Sequence, residues 1–261
     1  MKQNKIFETH CHLDYFASDI DTALASCDEV GVDRILTIAV SPDNLDTVVK
    51  LATNHSQVYC SQGIHPHEAK HVTDETYQKI EYNLKNNSKV IAIGECGLDY
   101  HYDFFFFLIQ QEVFERQLQI ACDNDLPVVI HTREADDDTL LILKNFSSKL
   151  KRKGVLHSYT SSLELAEWAL SENFYLGFNG IITFKNAQNV RDILESTPIN
   201  QILTETDAPY LSPIPMRGKQ NRPFYLPYVL QKIMEIKQTQ DASIFYQNAQ
   251  NLFKIKELPP L

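Results

Sequence analysis

Short runs of apolar and β-branched residues alternate along this chain with stretches whose apolar positions recur at helical spacing. The runs predict eight strands, at 6–10, 34–40, 58–64, 90–95, 127–131, 154–157, 174–178 and 201–204. Between and after them, amphipathic spacing predicts helices over 20–30, 45–54, 76–86, 110–125, 138–150, 163–172, 187–195 and 225–238. In the fourth of these, Val113, Phe114, Leu118 and Ala121 form one apolar stripe. Regular alternation of strand and helix implies a parallel sheet covered by helices.

An open, doubly wound sheet and a closed barrel both alternate in this way. The nucleotide-binding open sheet needs a glycine-rich turn after its first strand, and here that turn reads His10-Cys11-His12-Leu13. The chain holds only eight glycines and no GxGxxG or Walker-type loop. The expected fold is therefore α/β, a single (β/α)8 TIM-type barrel domain over 1–261, with its functional site at the C-terminal mouth of the strands.

Composition narrows the function classes. Hydrophobic residues at 43% and charged residues at 22% are those of an ordinary globular chain. No apolar stretch reaches the roughly 18 residues of a membrane span, and the polar 1–5 segment does not resemble a signal peptide. A cytoplasmic location without a membrane partner is expected. The five cysteines are odd in number and form no CxxC pair, which argues for reduced, buried thiols over a disulfide framework or a zinc ribbon. A formal charge of −10 argues against broad adhesion to nucleic acid but leaves room for a nucleic-acid substrate neutralised locally by metal ions and a few cations.

The chemistry gathers where strands end. His10 and His12 close the first strand two residues apart, so both side chains face the same way. Glu95 ends the fourth strand between two glycines, where a carboxylate buried without a partner is costly. His131 follows Val128-Val129-Ile130, His157 follows Val155-Leu156, and Asp207 lies just past the eighth strand, where barrel closure brings it opposite His10 and His12. Together these six suit divalent metal ions. Glu205 shares the facing of Asp207 and is expected to orient a ligand. His65, in Gly63-Ile64-His65-Pro66-His67, is expected on the substrate side of the mouth. The run of phenylalanines at 104–107 reads as core or as a lid near the mouth.

The blocks Thr9-His10-Cys11-His12-Leu13-Asp14, Gly63-Ile64-His65-Pro66-His67, Gly94-Glu95-Cys96-Gly97-Leu98-Asp99-Tyr100, Val129-Ile130-His131-Thr132-Arg133 and Glu205-Thr206-Asp207-Ala208-Pro209-Tyr210-Leu211 resemble, in order and spacing, those of the TatD family of metal-dependent deoxyribonucleases, within the wider amidohydrolase-like barrels. The resemblance spans nearly the whole chain and includes the later Arg217-Gly218-Lys219 and Asn248 to Phe253 segments. It implies His10, His12, Glu95, His131, His157 and Asp207 as metal ligands. The chain departs from the family pattern at Glu8, where Asp is usual, and in Ser158-Tyr159-Thr160-Ser161-Ser162 after His157.

The expected activity is phosphodiester hydrolysis of DNA, of exonuclease type on single strands. Two ions per chain, Zn, Mn or Mg, would be bridged by Glu95, with His10, His12 and Asp207 on one and His131 and His157 on the other. Asp207 would hold the attacking water and accept its proton, with Glu95 as the second catalytic carboxylate. Arg133, Arg217 and Lys219 would grip phosphates. No organic cofactor is expected. The alternatives are a barrel hydrolase acting on a small amide, lactone or ester with the same ligands, and a non-catalytic scaffold.

Overall fold

In the computed structural model, residues 5–101 and 107–255 are described. Eight strands form one parallel sheet in chain order: β1 (Ile6–Cys11), β2 (Val32–Thr37), β3 (Val58–Gln62), β4 (Val90–Asp99), β5 (Val128–Arg133), β6 (Gly154–Leu156), β7 (Tyr175–Phe178) and β8 (Ile202–Thr204). The helices α1 (Ile20–Glu29), α2 (Leu45–Asn54), α3 (Asp74–Asn86), α4 (Phe107–Asn124), α5 (Asp136–Phe146), α6 (Leu163–Ser171), α7 (Gln188–Ser196) and α8 (Leu226–Ile236) follow successive strands. This is the (β/α)8 barrel that the alternation predicted.

The seam between β1 and β8 closes through bonds that mix side chain and backbone. Thr9 Oγ1 donates to Thr204 O at 3.0 Å, Asp207 N to His10 O at 2.9 Å, and His12 N to Ala208 O at 2.8 Å. The seam is thus made by the segments that carry His10, His12 and Asp207. Closing the barrel and assembling this part of the mouth are the same event.

Two differences from the predicted elements have clear causes. β4 runs four residues beyond Glu95 because Cys96 to Asp99 pair with Ile130 to Arg133 of β5, a non-local pairing that no local pattern carries. A ninth helix, α9 (Ser243–Phe253), was not predicted. Its Tyr246, Ala249, Leu252 and Phe253 pack with Phe7, Leu36, Val129, Val155 and Leu203 in one cluster. Phe7 meets Phe253 at 5.8 Å and Tyr246 at 6.3 Å between ring centroids. Asn248 of the same helix is buried and donates to Ile199 O and Ile202 O, both at 2.8 Å, which ties α9 to the start of β8. α9 therefore seals the end of the barrel opposite the mouth.

Of the phenylalanine run, Phe107 opens α4 and stacks on Tyr100 at 3.8 Å, while Phe104, Phe105 and Phe106 lie outside the described residues. All five cysteines are free thiols, and burial pushes Cys60 up to about 12. Among the described residues no helix is long and apolar enough to cross a membrane.

The seal made by α9 predicts that Phe253→Ala lowers the unfolding free energy by about 3 kcal/mol, the usual cost of emptying a buried aromatic site. Urea denaturation measures this, and metal content should stay unchanged because the replaced ring is at the far end of the barrel.

Candidate metal centre

Glu95 is the hub. The residue is 3% exposed, and its two carboxylate oxygens face different partners. Oε1 lies 2.8 Å from His157 Nε2, 3.0 Å from His131 Nδ1 and 3.6 Å from His65 Nε2. Oε2 lies 3.4 Å from His10 Nε2. Asp207 Oδ1 completes that second side, 3.7 Å from His10 Nε2 and 3.5 Å from His12 Nε2. The chain thus brings together all six side chains read from the strand ends. His65, expected on the substrate side, stands among the donors on Oε1.

The residues fit metal ions. Ligands about 2.1 Å from one ion stand roughly 3.0 to 3.4 Å apart around it, and the separations among these donors run from 2.8 to 3.7 Å. Buried His10 presents Nε2, the nitrogen that faces Glu95 and Asp207, without a hydrogen-bond partner among the described residues. Leaving such a group unpaired costs about 1–3 kcal/mol, whereas a divalent cation beside it satisfies imidazole and carboxylate together. The sets His10, His12, Glu95 and His65, Glu95, His131 each hold their donor atoms within 4.8 Å of one another.

Electrostatics follow from burial. Desolvation alone would raise the Glu95 carboxyl, but His157, His65, His10 and His131 hold it well below the usual carboxylate range. Burial depresses His10, and its ring lies flat against His157 at 3.8 Å, which disfavours a second positive charge there. Burial and the neighbouring His131 drive His65 well below the ordinary imidazole value. Against burial, Asp207 raises His12, Asp99 and Glu95 raise His131, and Glu95 raises His157 well above the ordinary imidazole value; metal binding needs the uncharged ring and therefore displaces protons there.

Carboxylates behind the centre hold its imidazoles. Asp99 Oδ2 accepts from His131 Nε2 at 3.0 Å and from His67 Nε2 at 3.1 Å. Glu205 lies 3.7 Å from His157 Nδ1 and accepts the Ser158 backbone N–H, as its predicted orienting place requires. Asp99 was missed, although Glu95, Gly97 and Asp99 share one facing along β4 and the signal was there in the spacing. Gly97, at φ 141°, is where a Cβ would strike the His131 backbone oxygen, so only glycine lets β4 lie this close to His131. Glu8 Oε1 accepts the His10 and Thr206 backbone N–H groups, both at 3.0 Å, so it braces the β1–β8 seam.

The centre opens into a cavity of about 670 Å³ lined also by Arg133, Tyr15 and Tyr210. Arg217 and Lys219 are not in its lining. Arg217 stacks over Phe184 at 4.0 Å, and Lys219 is exposed on the loop that follows β8.

The Asp99 contact generates a prediction. Asp99→Asn should weaken metal binding about 10- to 100-fold, as loss of a ligand-orienting carboxylate does, while Glu95→Gln should strip most of the metal. Elemental analysis and a chelator competition read both effects.

Residues 7–254 match the family model described as TatD related DNase. The metal-dependent hydrolase YabD of Bacillus subtilis is 36% identical over 255 residues, 96% of this chain and 99% of its own length. The 3'-5' ssDNA/RNA exonuclease TatD of Erwinia tasmaniensis is 32% identical over 250 residues, covering 93% and 95% of the two chains. Among solved structures, the TatD homologue YjjV of Escherichia coli superposes with a TM-score of 0.91 at 31% identity, over 96% of this chain and 98% of that one. With a family match across almost the whole described barrel, the chain belongs to the TatD-related family of metal-dependent hydrolases.

Proposed function

We propose that this protein is a metal-dependent deoxyribonuclease that hydrolyses phosphodiester bonds of single-stranded DNA from a strand end. The observation that carries the reading is the divided carboxylate of Glu95, with His131 and His157 on Oε1 and His10 on Oε2. Such a division suits two neighbouring ions, Zn, Mn or Mg, held by His10, His12, Glu95, His131, His157 and Asp207. The relative from Erwinia named as an exonuclease on single-stranded DNA and RNA supports the substrate class.

When bound, the ions supply Lewis-acid stabilisation of charge on the phosphodiester oxygens and lower the pKa of the attacking water. The chain's own part is positioning and proton transfer. Asp207 lines the cavity and accepts the proton of that water. Glu95 keeps the two donor sets in register through its two oxygens. His65, which lines the cavity beside His131, and Arg133 on the cavity wall face the incoming phosphate, where the guanidinium forms charge-assisted hydrogen bonds. Arg217 and Lys219, outside the cavity, contact phosphates further along the strand. No organic cofactor takes part, and the five free thiols suit a reducing, cytoplasmic setting.

Digestion of 3'- and 5'-labelled single-stranded oligonucleotides tests this reading. Metal-stripped protein should be inactive, restoring Mg, Mn or Zn should give stepwise shortening, and Asp207→Asn should slow it at least about 100-fold, the usual worth of a positioned general base. No cleavage with metal content confirmed would overturn the reading in favour of a small ester or amide substrate.

A further inference from the structure

The cavity rim carries two large aromatic side chains that the hydrolytic reading leaves without a role. Tyr15 is 55% exposed and Tyr210 50% exposed, and both line the cavity. Their ring centroids are 6.0 Å apart at 71°, and each stands edge-on to His12, at 6.2 and 6.1 Å. Single exposed tyrosines are unremarkable, but an adjoining pair at the lip of a cavity is apolar surface left open toward a ligand.

Both rings are fixed. Tyr15 belongs to the short 3-10 turn Leu13–Phe16 that follows His12, between the buried Leu13 and Phe16. Tyr210 sits in a turn whose N–H donates to Asp207 O at 2.9 Å, and its carbonyl accepts from the fully buried Asn221 side chain. The two hydroxyls bond each other at 3.1 Å. A surface held at both ends loses little conformational freedom when a flat ligand lies on it.

Resting on the nuclease reading, we propose that Tyr15 and Tyr210 form an aromatic corner for a nucleobase beside the bond that is cut, the base stacking on one ring while the other, turned 71° to it, meets its edge. Both rings border His12, at 6.2 and 6.1 Å between ring centroids, so the lip adjoins the His12 and Asp207 side of the centre. A base on the tyrosines therefore sets its phosphate over His12 and Asp207. Charge points the same way. Beyond Arg133 the β5 side of the mouth turns acidic, with Glu134 and then Asp136, Asp137 and Asp138 at the start of α5, whereas the loop after β8 that carries Tyr210 also carries Arg217 and Lys219. Stacking reads the flat face that every base shares, so the site accepts any base and demands an unpaired one.

The test uses full-length, metal-loaded protein and single-stranded oligonucleotides that are intact or carry an abasic residue beside the bond cut. Tyr15→Ala and Tyr210→Ala should raise KM about 5- to 150-fold on the intact strand, the range measured for loss of one stacked base. Tyr210→Phe, which keeps the ring, should retain most of the affinity. The wild-type protein should lose a similar factor on the abasic strand, where the Ala variants should lose nothing more. Tyr82→Ala, which removes a tyrosine 66% exposed on α3, controls for general surface effects. Equal KM for intact and abasic strands in the wild type would overturn the aromatic corner while the nuclease stands, and that comparison needs no variant. A Phe variant as impaired as the Ala variant would assign the effect to the hydroxyl and overturn stacking. No cleavage of any strand, with metal content confirmed, would instead overturn the nuclease reading and the aromatic corner with it.

Discussion

A carboxylate withdrawn from water is the constraint on which this mouth depends. Glu95 is almost wholly buried, and an ionised carboxyl there is tolerable only if positive charge or strong donors surround it. The barrel answers with four imidazoles from four separate strands or their ends, and each of those has in turn to be oriented. Asp99 steadies His131, and Glu205 stands behind His157. The mouth is a series of compensations that begins from one buried charge, and a divalent cation is the species that satisfies both ends of it.

The segments that carry the centre's residues also close the barrel. The β1–β8 seam is held by bonds from Thr9, His10, His12 and Asp207, and Glu8 clamps two of its backbone N–H groups from below. Burial raises the Glu8 carboxyl well above its ordinary value, which suits a neutral group beside Glu205 in the barrel interior. The family's usual Asp is shorter by one methylene, and in this chain the longer side chain braces the seam. At the opposite end, α9 supplies apolar side chains that fill what the eight strands leave open. Strong polar order at one end and aromatic packing at the other leave the centre little freedom to relax.

The chain's net charge of −10 and the polyanionic substrate we propose are reconciled by distribution. Acidic residues crowd the head of α5, and cations lie on the loop after β8 and at Arg133. Long-range attraction is therefore weak, and capture depends on short-range contacts at the mouth. Arg222, which the cluster of basic residues on this loop would offer to a phosphate, is instead paired with Asp19 at 2.8 Å and laid over Phe16.

Periodicity along the chain sufficed for the barrel, because each strand and helix is short, local and bounded by turn residues, and because alternation admits few topologies. The six strand-end residues were legible for the same reason: each closes or lies just past a short apolar run, and in a parallel barrel the C-terminal strand ends converge on one mouth. The length of β4 was not, since Cys96 to Asp99 become strand by pairing with β5, and Asp99 was lost with them. Nor was α9, whose apolar face has meaning only against the barrel end it covers. His65 shows the limit most plainly. Its motif placed it at the mouth, but its 3.6 Å approach to Glu95 depends on where β3, β4 and β5 lie relative to one another. The sequence by itself determined which residues reach the mouth, because that follows from local pattern; only the tertiary structure decided which of them share an oxygen of Glu95 and which rings stand exposed beside them, because those distances are set by the packing of strands far apart in the chain.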